Sequence, residues 1–261
     1  MKLCMVICML MVKPCFAQEW QAEIMGGVSG YNGDLTQSFF SYKTLGPSVN
    51  VNMKYQLPNN IFVLRAGISY GHISADDKNN KERSLIARNL NFKSNIIEGS
   101  LCVEVNLFDP DKFEGIPYLF GGVGVFYFNP YTFDKNNNKT FLRPLGTEGQ
   151  GLEEYPDRRM ISIPQLCIPF GGGWKLRLNE KYDVIYEVGI RYLFTDYLDD
   201  VSTNYVDPQT LLLERGRKAV ELAYRQATML PSIKGVKRGN PESKDWYYMT
   251  GIKLVMKLGK Q

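Results

Sequence analysis

The chain contains 261 residues, of which 44% are hydrophobic and 22% are charged. This composition excludes a chain that is disordered throughout, and the length suits one or two domains. Loss of the N-terminal segment considered next would remove Lys2 and Lys13 and bring the basic residues from 31 to 29, against 27 acidic residues. A protein this close to neutral lacks the basic excess of nucleic-acid-binding domains, so no nucleic-acid partner is expected.

Residues 1–17 have the features of a secretory signal peptide. Lys2 precedes an apolar run from Leu3 to Val12, and Ala17 follows as a small residue suited to cleavage. We therefore expect residues 18–261 to form one domain in the cell envelope. After this segment no run of about 18 apolar residues occurs, so the sequence predicts no membrane-spanning helix.

The main pattern is a series of eight segments in which apolar and polar residues alternate. Alternation at period two is typical of strands with one apolar face. The predicted strands are Trp20 to Gly30, Pro47 to Leu57, Ile61 to Ser74, Asn95 to Phe108, Pro117 to Asn129, Ile161 to Leu178, Tyr182 to Thr195 and Asp245 to Leu258. Long and short connections between these strands alternate along the chain.

Strand length and loop rhythm together indicate a membrane barrel. A tilted strand of about ten residues crosses the hydrocarbon core of a bilayer, and outer-membrane barrels have long loops on one side and tight turns on the other. We predict an all-β fold, an eight-stranded antiparallel up-and-down transmembrane β-barrel with long extracellular loops, short periplasmic turns and outer-membrane lipid around it. A soluble lipocalin-like barrel, with its polar face outward, is the alternative.

The seventh predicted strand shows how the two faces divide. Val184, Tyr186 and Val188 share one face, whereas Glu187 and Arg191 share the other. A Lys or Arg on the lipid-facing side at the bilayer midplane costs about 2–4 kcal/mol. The charged faces are therefore predicted to point into the lumen. The fifth strand is apolar on both faces, so alternation does not decide its orientation.

The predicted lumen set contains both signs of charge in similar numbers. Its members are Glu23, Lys54, Arg65, Glu98, Glu104, Lys175, Arg177, Glu187, Arg191 and Lys253. Eight strands leave an interior just wide enough for side chains. We therefore expect paired charges that fill the lumen, and an ion path through them is the alternative.

Three further features have structural interpretations. One helix, from Leu211 to Met229, is predicted in the longest loop, where it packs over the barrel mouth or binds a partner. Cys102 and Cys167 lie in non-adjacent strands and are expected to be free thiols. The glycine runs at 121–124 and 171–173 lack the GKS or GKT of a nucleotide loop, so they indicate close packing inside strands.

Two groups of residues suggest chemistry. Carboxylates crowd the start of the longest loop and are ligands that Ca²⁺ accepts, but their spacing does not match an EF-hand. His72 and Ser74 are similar to the His-x-Ser pair of outer-membrane lipid A deacylases, with Glu82 as a third member. The motif is only two residues long. We predict no catalytic residue, no metal and no cofactor, and keep the hydrolase and the calcium loop as alternatives.

Three stretches have recognisable motifs: residues 23–35, residues 195–207, and the segment from Arg238-Gly239-Asn240-Pro241 to Asp245-Trp246-Tyr247-Tyr248. Together they resemble the PorG-type family of outer-membrane proteins. The second stretch is the longest, and its polar family-motif residues are Asp196, Tyr197, Asp199, Asp200 and Asp207.

The resemblance implies a non-catalytic outer-membrane component of the type IX secretion system. Proteins of this family are thought to associate with a periplasmic ring built from a lipoprotein and a partner protein. For this chain such contacts would lie at the turns near Pro58, Asp109 and Asn179 or at the C-terminal end. A stand-alone surface barrel whose loops bind an external ligand is the alternative.

Overall fold

A computed structural model describes residues 20–36, 38, 40–226 and 233–258. The predicted signal peptide, residues 1–17, lies outside these ranges. Ten strands occur in chain order: β1 (Trp20–Asn32), β2 (Gly46–Gln56), β3 (Phe62–Asp76), β4 (Asn91–Asn106), β5 (Gly115–Tyr127), β6 (Tyr131–Phe133), β7 (Lys139–Phe141), β8 (Gln165–Arg177), β9 (Tyr182–Leu193) and β10 (Trp246–Lys257).

Eight of these strands close into an antiparallel barrel. Each pairs with its neighbours in the order β1, β2, β3, β4, β5, β8, β9, β10, and β10 pairs back onto β1. The predicted eight-stranded up-and-down barrel is confirmed. The largest differences in bounds are at β4, which begins at Asn91 instead of Asn95, and at β8, which begins at Gln165 instead of Ile161. Pro164 just precedes β8 and has no N–H for the ladder.

The fifth predicted strand, which alternation left undecided, is oriented by its aromatic side chains. Tyr118, Phe120 and Phe126 of β5 point inward and are buried, whereas Leu119 and Val125 point outward. Both sets are apolar because the lumen takes up aromatic rings as well as charges.

The outer wall carries a continuous apolar band. Its exposed members include Ile24, Val49, Val51, Met53, Leu64, Ile68, Leu101, Val103, Leu119, Val123, Val125, Leu166, Ile252 and Leu254. Towards the long loops the outward residues become polar: on β3, Tyr70 is followed by His72 and Ser74, and on β4, Asn95 precedes Ile97. This change marks the upper boundary of a lipid-facing surface.

The described residues of the long loops fold into a compact cap over one end of the barrel. Their apolar core comprises Leu145, Tyr155, Tyr205, Val206, Leu211, Ala219, Val220, Ala223, Tyr224 and Ile233. The described part of the cap contains three short α-helices, α1 (Arg83–Arg88), α2 (Pro208–Arg215) and α3 (Arg217–Ala223). In the described ranges no helix is long and apolar enough to cross a bilayer.

The prediction of one helix from Leu211 to Met229 is wrong. Two short helices occupy most of this segment, and Gly216 separates them with φ +81° and ψ 177°, outside the helical region. Asp207 begins α2 by accepting a hydrogen bond from the Gln209 backbone N–H at 2.8 Å. The end of the predicted helix falls within residues 227–232, which are outside the described residues.

Candidate functional site

The barrel lumen and the cap each contain a buried polar cluster. Of the ten residues predicted for the lumen, eight are at most 7% exposed: Glu23, Lys54, Arg65, Glu98, Glu104, Glu187, Arg191 and Lys253. Lys175 and Arg177 lie nearer the short-turn end and are half-buried. The structure thus brings most of the set together inside the wall.

Glu104 is the centre of the lower lumen network. Its Oε1 lies 3.0 Å from both Lys54 Nζ and Arg65 Nη1, and its Oε2 lies 2.7 Å from Lys175 Nζ. Lys54 and Arg65 are directly opposite each other on β2 and β3. Two like charges in that position repel each other, so the shared carboxylate stabilises their approach.

Two other glutamates connect the network around the ring. Lys253 Nζ lies 2.7 Å from Glu23 Oε1 and 2.6 Å from Glu187 Oε2. Arg65 Nη1 lies 2.6 Å from the same Glu187 oxygen, and Lys54 Nζ lies 2.5 Å from Glu23 Oε2. Contacts therefore run across the lumen as well as between neighbouring strands.

A second charged layer lies closer to the cap. Arg191 Nε donates to Glu98 Oε2 at 2.9 Å, and the Tyr247 hydroxyl donates to the same oxygen at 2.7 Å. Each charge here has an opposite partner, as a low-dielectric interior requires.

Aromatic rings fill the space left between the charges. Phe120 lies under the Arg65 guanidinium, with 4.2 Å between its ring centroid and Cζ. A Cβ atom on Gly171 or Gly189 would lie 2.9 Å from this ring, and one on Gly173 would lie 2.8 Å from Tyr118. These glycines therefore make room for rings in a tight barrel.

A small cavity opens at the short-turn end. Lys54, Lys175 and Arg177 are among the residues that line it, and its volume is about 80 Å³. This is room for a few water molecules. The packed side chains above it support a filled lumen rather than a channel.

The three family-like stretches, far apart in sequence, meet in the cap. The Tyr31 hydroxyl at the end of β1 donates a hydrogen bond to Asp199 Oδ2 at 2.5 Å and lies 3.2 Å from Asp245 Oδ1. Asp245 Oδ2 accepts from the Leu198 backbone N–H at 2.9 Å. Asp34 Oδ2 accepts from the Asn240 backbone N–H at 2.8 Å. We call Tyr31, Asp34, Asp199, Asn240 and Asp245 the motif cluster.

A buried ion pair lies beside the motif cluster. Arg238 Nη1 donates to Glu148 Oε1 at 2.8 Å and to the Asp200 carbonyl oxygen at 2.6 Å. Glu148 also accepts from the backbone N–H groups of Ser202 and Thr203, at 3.0 and 2.9 Å. This network stabilises the cap around the predicted acidic loop.

A second buried pair joins another loop to this network. Arg88 Nη2 lies 2.6 Å from Asp77 Oδ1 and donates to the Asp34 carbonyl oxygen at 2.8 Å. Arg88 also donates to the Arg238 carbonyl oxygen.

Sequence reasoning missed Glu148, although its partners Arg238, Ser202 and Thr203 lie in the family-like stretches. A signal was present in the glycines at positions 146, 149 and 151, all of which have positive φ between 54° and 77°. Such closely spaced glycines indicate a folded loop rather than a disordered one.

Burial and mutual repulsion change the acidity of these carboxyl groups. Burial raises the pKa of Asp196 and of Asp200 to about 7. The pKa values of Asp199 and Asp245 are raised well above the usual range by burial, to which neighbouring aspartates add. The pKa of Asp34 shifts in the same direction, chiefly because of burial. The surroundings of these five aspartates therefore favour the protonated form of their carboxyl groups.

The remaining predicted loop residues have separate roles. Tyr197 is half-buried and its pKa is raised, mainly by burial. Asp207 lies at the start of α2. Within the described part of the chain, no group of three or more His, Cys, Asp or Glu residues has an arrangement that could hold a metal ion. The acidic side chains instead accept hydrogen bonds, as Asp196 does from the Ser202 hydroxyl at 2.7 Å.

His72 and Ser74 lie on the outer face of β3 and bind different partners. His72 Nδ1 lies 2.8 Å from Asn95 Oδ1. The Ser74 hydroxyl donates to the Thr44 carbonyl oxygen at 3.4 Å. No hydrogen bond joins His72 to Ser74 among the contacts of the described residues, and Glu82 accepts a hydrogen bond from Ser84. Cys102 and Cys167 are buried free thiols.

A closed eight-stranded barrel with an apolar outer band and a charged, packed interior defines a transmembrane β-barrel protein. A family described as Domain of unknown function (DUF6089) matches residues 1–144. The match covers more than half of the chain, which therefore belongs to this family. No curated protein sequence matches the chain.

Several solved structures are similar to the chain at low sequence identity. Neisserial surface protein A aligns with a TM-score of 0.44 and 9% identity, covering 92% of this chain and 97% of the other. A major outer-membrane protein of Thermus thermophilus gives 0.44 and 12%, covering 92% and 99%. The attachment invasion locus protein Ail of Yersinia pestis, in complex with the heparin analogue sucrose octasulfate, gives 0.43 and 6%, covering 93% and 100%.

Proposed function

We propose that the protein is a non-catalytic structural barrel of the bacterial outer membrane that serves the type IX secretion machinery. The observation that carries the proposal is the filled lumen: Glu104, Glu187 and Glu23 bind cations from opposite walls. A barrel with this interior provides no path for a substrate. Its function then depends on its outer surfaces, and the resemblance to PorG-type proteins supports a secretion component.

The short turns form one connected surface on the side assigned to the periplasm. Asn60 Nδ2 donates to Asp111 Oδ2 at 2.6 Å, and Asn106 Nδ2 donates to the Asn60 carbonyl oxygen at 2.8 Å. Arg177 also donates to the Pro110 carbonyl oxygen at 2.5 Å. Turns held together in this way present a defined surface, which suits a protein partner such as a periplasmic ring.

Co-purification tests this proposal. The tagged protein would be extracted from its own outer membrane in mild detergent, and the recovered proteins identified and quantified. We expect a periplasmic lipoprotein and its partner at a near-constant ratio to the barrel. Reversing the charges of one turn, by Asp109→Lys with Lys112→Glu, should reduce that recovery. The matched control reverses an exposed cap pair, by Glu154→Lys with Lys234→Glu.

Two outcomes would contradict the secretion role. Recovery of the barrel alone from wild-type membranes would remove it, as would equal recovery of partners with the turn variant. A heat-dependent gel shift of each variant confirms that the barrel has folded.

A stand-alone surface barrel is a second candidate, favoured by one observation in the cap. A groove of about 840 Å³ is lined by residues of three loops, among them Asp34, Leu85, Arg88, Lys237 and Asn240. Its size and mixed polarity suit an external ligand. Binding of a labelled surface ligand that is lost in Leu85→Arg, with no periplasmic proteins co-purified, would favour this candidate.

A further inference from the structure

We propose that the protein binds the phosphorylated sugar headgroup of an outer-leaflet glycolipid through five side chains on the outer face of the β6–β7 hairpin and the adjoining end of β4. We call these five residues the rim patch: Lys93, Tyr131, Phe133, Lys139 and Phe141. This proposal goes beyond the structural role above and does not depend on a secretion partner.

The rim patch lies just above the apolar band. β6 follows β5 closely and pairs with β4, where Lys93 is opposite Tyr131. Tyr127, the last outward aromatic residue of β5, is 50% exposed. From Tyr127 to Tyr131 the chain rises by roughly 10 Å, given about 3.3 Å per residue and a strand tilt near 40°. This height corresponds to the headgroup layer of the bilayer.

The hairpin register aligns the patch on one face. Tyr131 is opposite Phe141, and Phe133 is opposite Lys139. These side chains are partly or fully exposed, whereas Thr132 between them is buried. The ring centroids of Tyr131 and Phe141 are 6.1 Å apart, and the rings meet edge to face. The two rings therefore form one continuous aromatic surface.

Two ammonium groups lie on this aromatic surface. Lys139 Nζ is 3.9 Å from the Tyr131 ring centroid and 5.1 Å from that of Phe141. Lys93 Nζ is 5.6 Å from the Phe133 ring centroid. Among the ion pairs formed by the described residues, neither Lys93 nor Lys139 takes part, whereas nearby Lys218 pairs with Asp134 at 2.7 Å. Two positive charges thus face the headgroup layer without a carboxylate partner.

This combination matches one chemical class. Lysines at a membrane surface attract anionic headgroups, and an ammonium binds phosphate through charge-assisted hydrogen bonds. The exposed faces of Tyr131 and Phe141 offer apolar surface to sugar rings. Below the patch, Tyr70 and Ile97 are exposed in the apolar band and can contact the acyl chains of the same lipid. A single phosphorylated glycolipid would therefore contact the two lysines with its phosphates, the aromatic rings with its sugars and the apolar band with its acyl chains.

The test is a binding measurement on the full chain in detergent micelles with bis-phosphorylated lipid A as the probe. We expect Lys93→Gln with Lys139→Gln to weaken binding by at least about tenfold, the size of effect that loss of two charge-assisted contacts produces. Lipid A without phosphates should bind the wild-type protein as weakly as bis-phosphorylated lipid A binds the double variant. Lys139→Arg, which keeps the charge, should retain affinity. The matched control, Lys78→Gln with Lys244→Gln, removes two exposed charges elsewhere in the cap.

Four results would overturn the proposal. The first three are unchanged affinity in the Lys93 and Lys139 double variant, an equal loss in the control, and equal binding of phosphate-free lipid A. Competition by millimolar inorganic phosphate with no effect of the lipid portion would also overturn it, because the site would then bind free anions. Heat-dependent gel mobility verifies folding, which exposed lysine changes should leave intact.

Discussion

Lys54 and Arg65 face each other across β2 and β3, and both contact the same oxygen of Glu104 at 3.0 Å. Two like charges are thus placed side by side in a buried position, with a third residue from β4 between them. The arrangement makes the three residues interdependent: without Glu104, Lys54 would keep Glu23 and Arg65 would keep Glu187, but the repulsion between the two cations would lose the carboxylate that offsets it.

Replacing Glu104 by Gln should therefore destabilise the barrel more than the small change in side-chain size suggests. The change leaves Lys54, Arg65 and Lys175 with one carboxylate fewer, and breaking a buried ion network from one side typically costs about 3–5 kcal/mol. Urea unfolding in lipid vesicles would measure the loss. Asp109→Asn, a carboxylate change in an exposed turn, is the control and should leave the midpoint unchanged. Equal midpoints for both variants would contradict the role of Glu104.

The filled lumen predicts an electrically silent protein. Because Phe120 and the charged network occupy the interior, the wild-type protein should give no steady single-channel current in planar bilayers. A porin of known conductance, inserted under the same conditions, is the positive control. Reproducible current from the wild-type protein that depends on Arg65 would support the ion-path alternative instead.

The buried pair of Arg238 and Glu148 should control the stability of the cap independently of the barrel. Arg238→Met leaves the Glu148 carboxylate buried without its cation, at a cost of about 3–5 kcal/mol. We expect protease cleavage in the cap of the folded protein, with an unchanged heat-dependent mobility of the barrel. Lys234→Met, at an exposed pair with Glu154, is the control. Loss of the barrel itself would show that cap and wall unfold together.

The cap should be more resistant to protease at pH 5.5 than at pH 8.5. The carboxyl groups of Asp196 and Asp200, with pKa values of about 7 in the folded cap, have a reference value of 3.8. The folded cap thus holds protons that the unfolded chain has released. The resulting stabilisation of the cap is fully present below pH 3.8, the reference pKa, and it is lost as the pH rises through 7.

Hydrogen exchange of cap amides across this pH range would measure the effect, after correction for the intrinsic rate. The Asp196→Asn and Asp200→Asn double variant should make the profile shallower, because it removes two of the carboxyl groups with raised pKa values. A cap that becomes more protected between pH 5.5 and 8.5 would contradict the assignment.

Ser74→Ala should leave the lipid A profile of the cell unchanged. The Ser74 hydroxyl contacts Thr44, and His72 contacts Asn95, so this structure does not align a base with a nucleophile. Mass spectrometry of extracted lipid A would test this. A gain of acyl chains in the variant would establish the hydrolase alternative, and His72→Ala should then give the same change.

The strands and their lumen-facing residues could be predicted because alternation reports which face each residue occupies. Glu98 and Glu104 share the inward face of β4 for this reason. Their individual partners could not be predicted. Glu187 meets Arg65 across the barrel, 122 positions away in sequence, and such a contact depends on the register of several strands. Alternation did not predict the orientation of β5, because the inward residues of this strand are aromatic and therefore apolar as well.

The cap was less predictable for a related reason. Asp199 and Asp245 could be recognised as members of family-like stretches, but their convergence on Tyr31 depends on the path of a long irregular loop. The local sequence pattern contains little information about the path of such a loop. The break at Gly216 also overrode the apolar spacing that had suggested one helix.

The closure of β10 onto β1, with Gly251 opposite Gly27, limits how another protein can join this one. Every barrel strand already has two hydrogen-bonded neighbours, so an incoming chain cannot add a strand to the barrel wall. Any assembly that includes the barrel must recognise it by the shape and charge of its side chains. A few surface substitutions could therefore change which partner binds, and the fold of both proteins would stay the same.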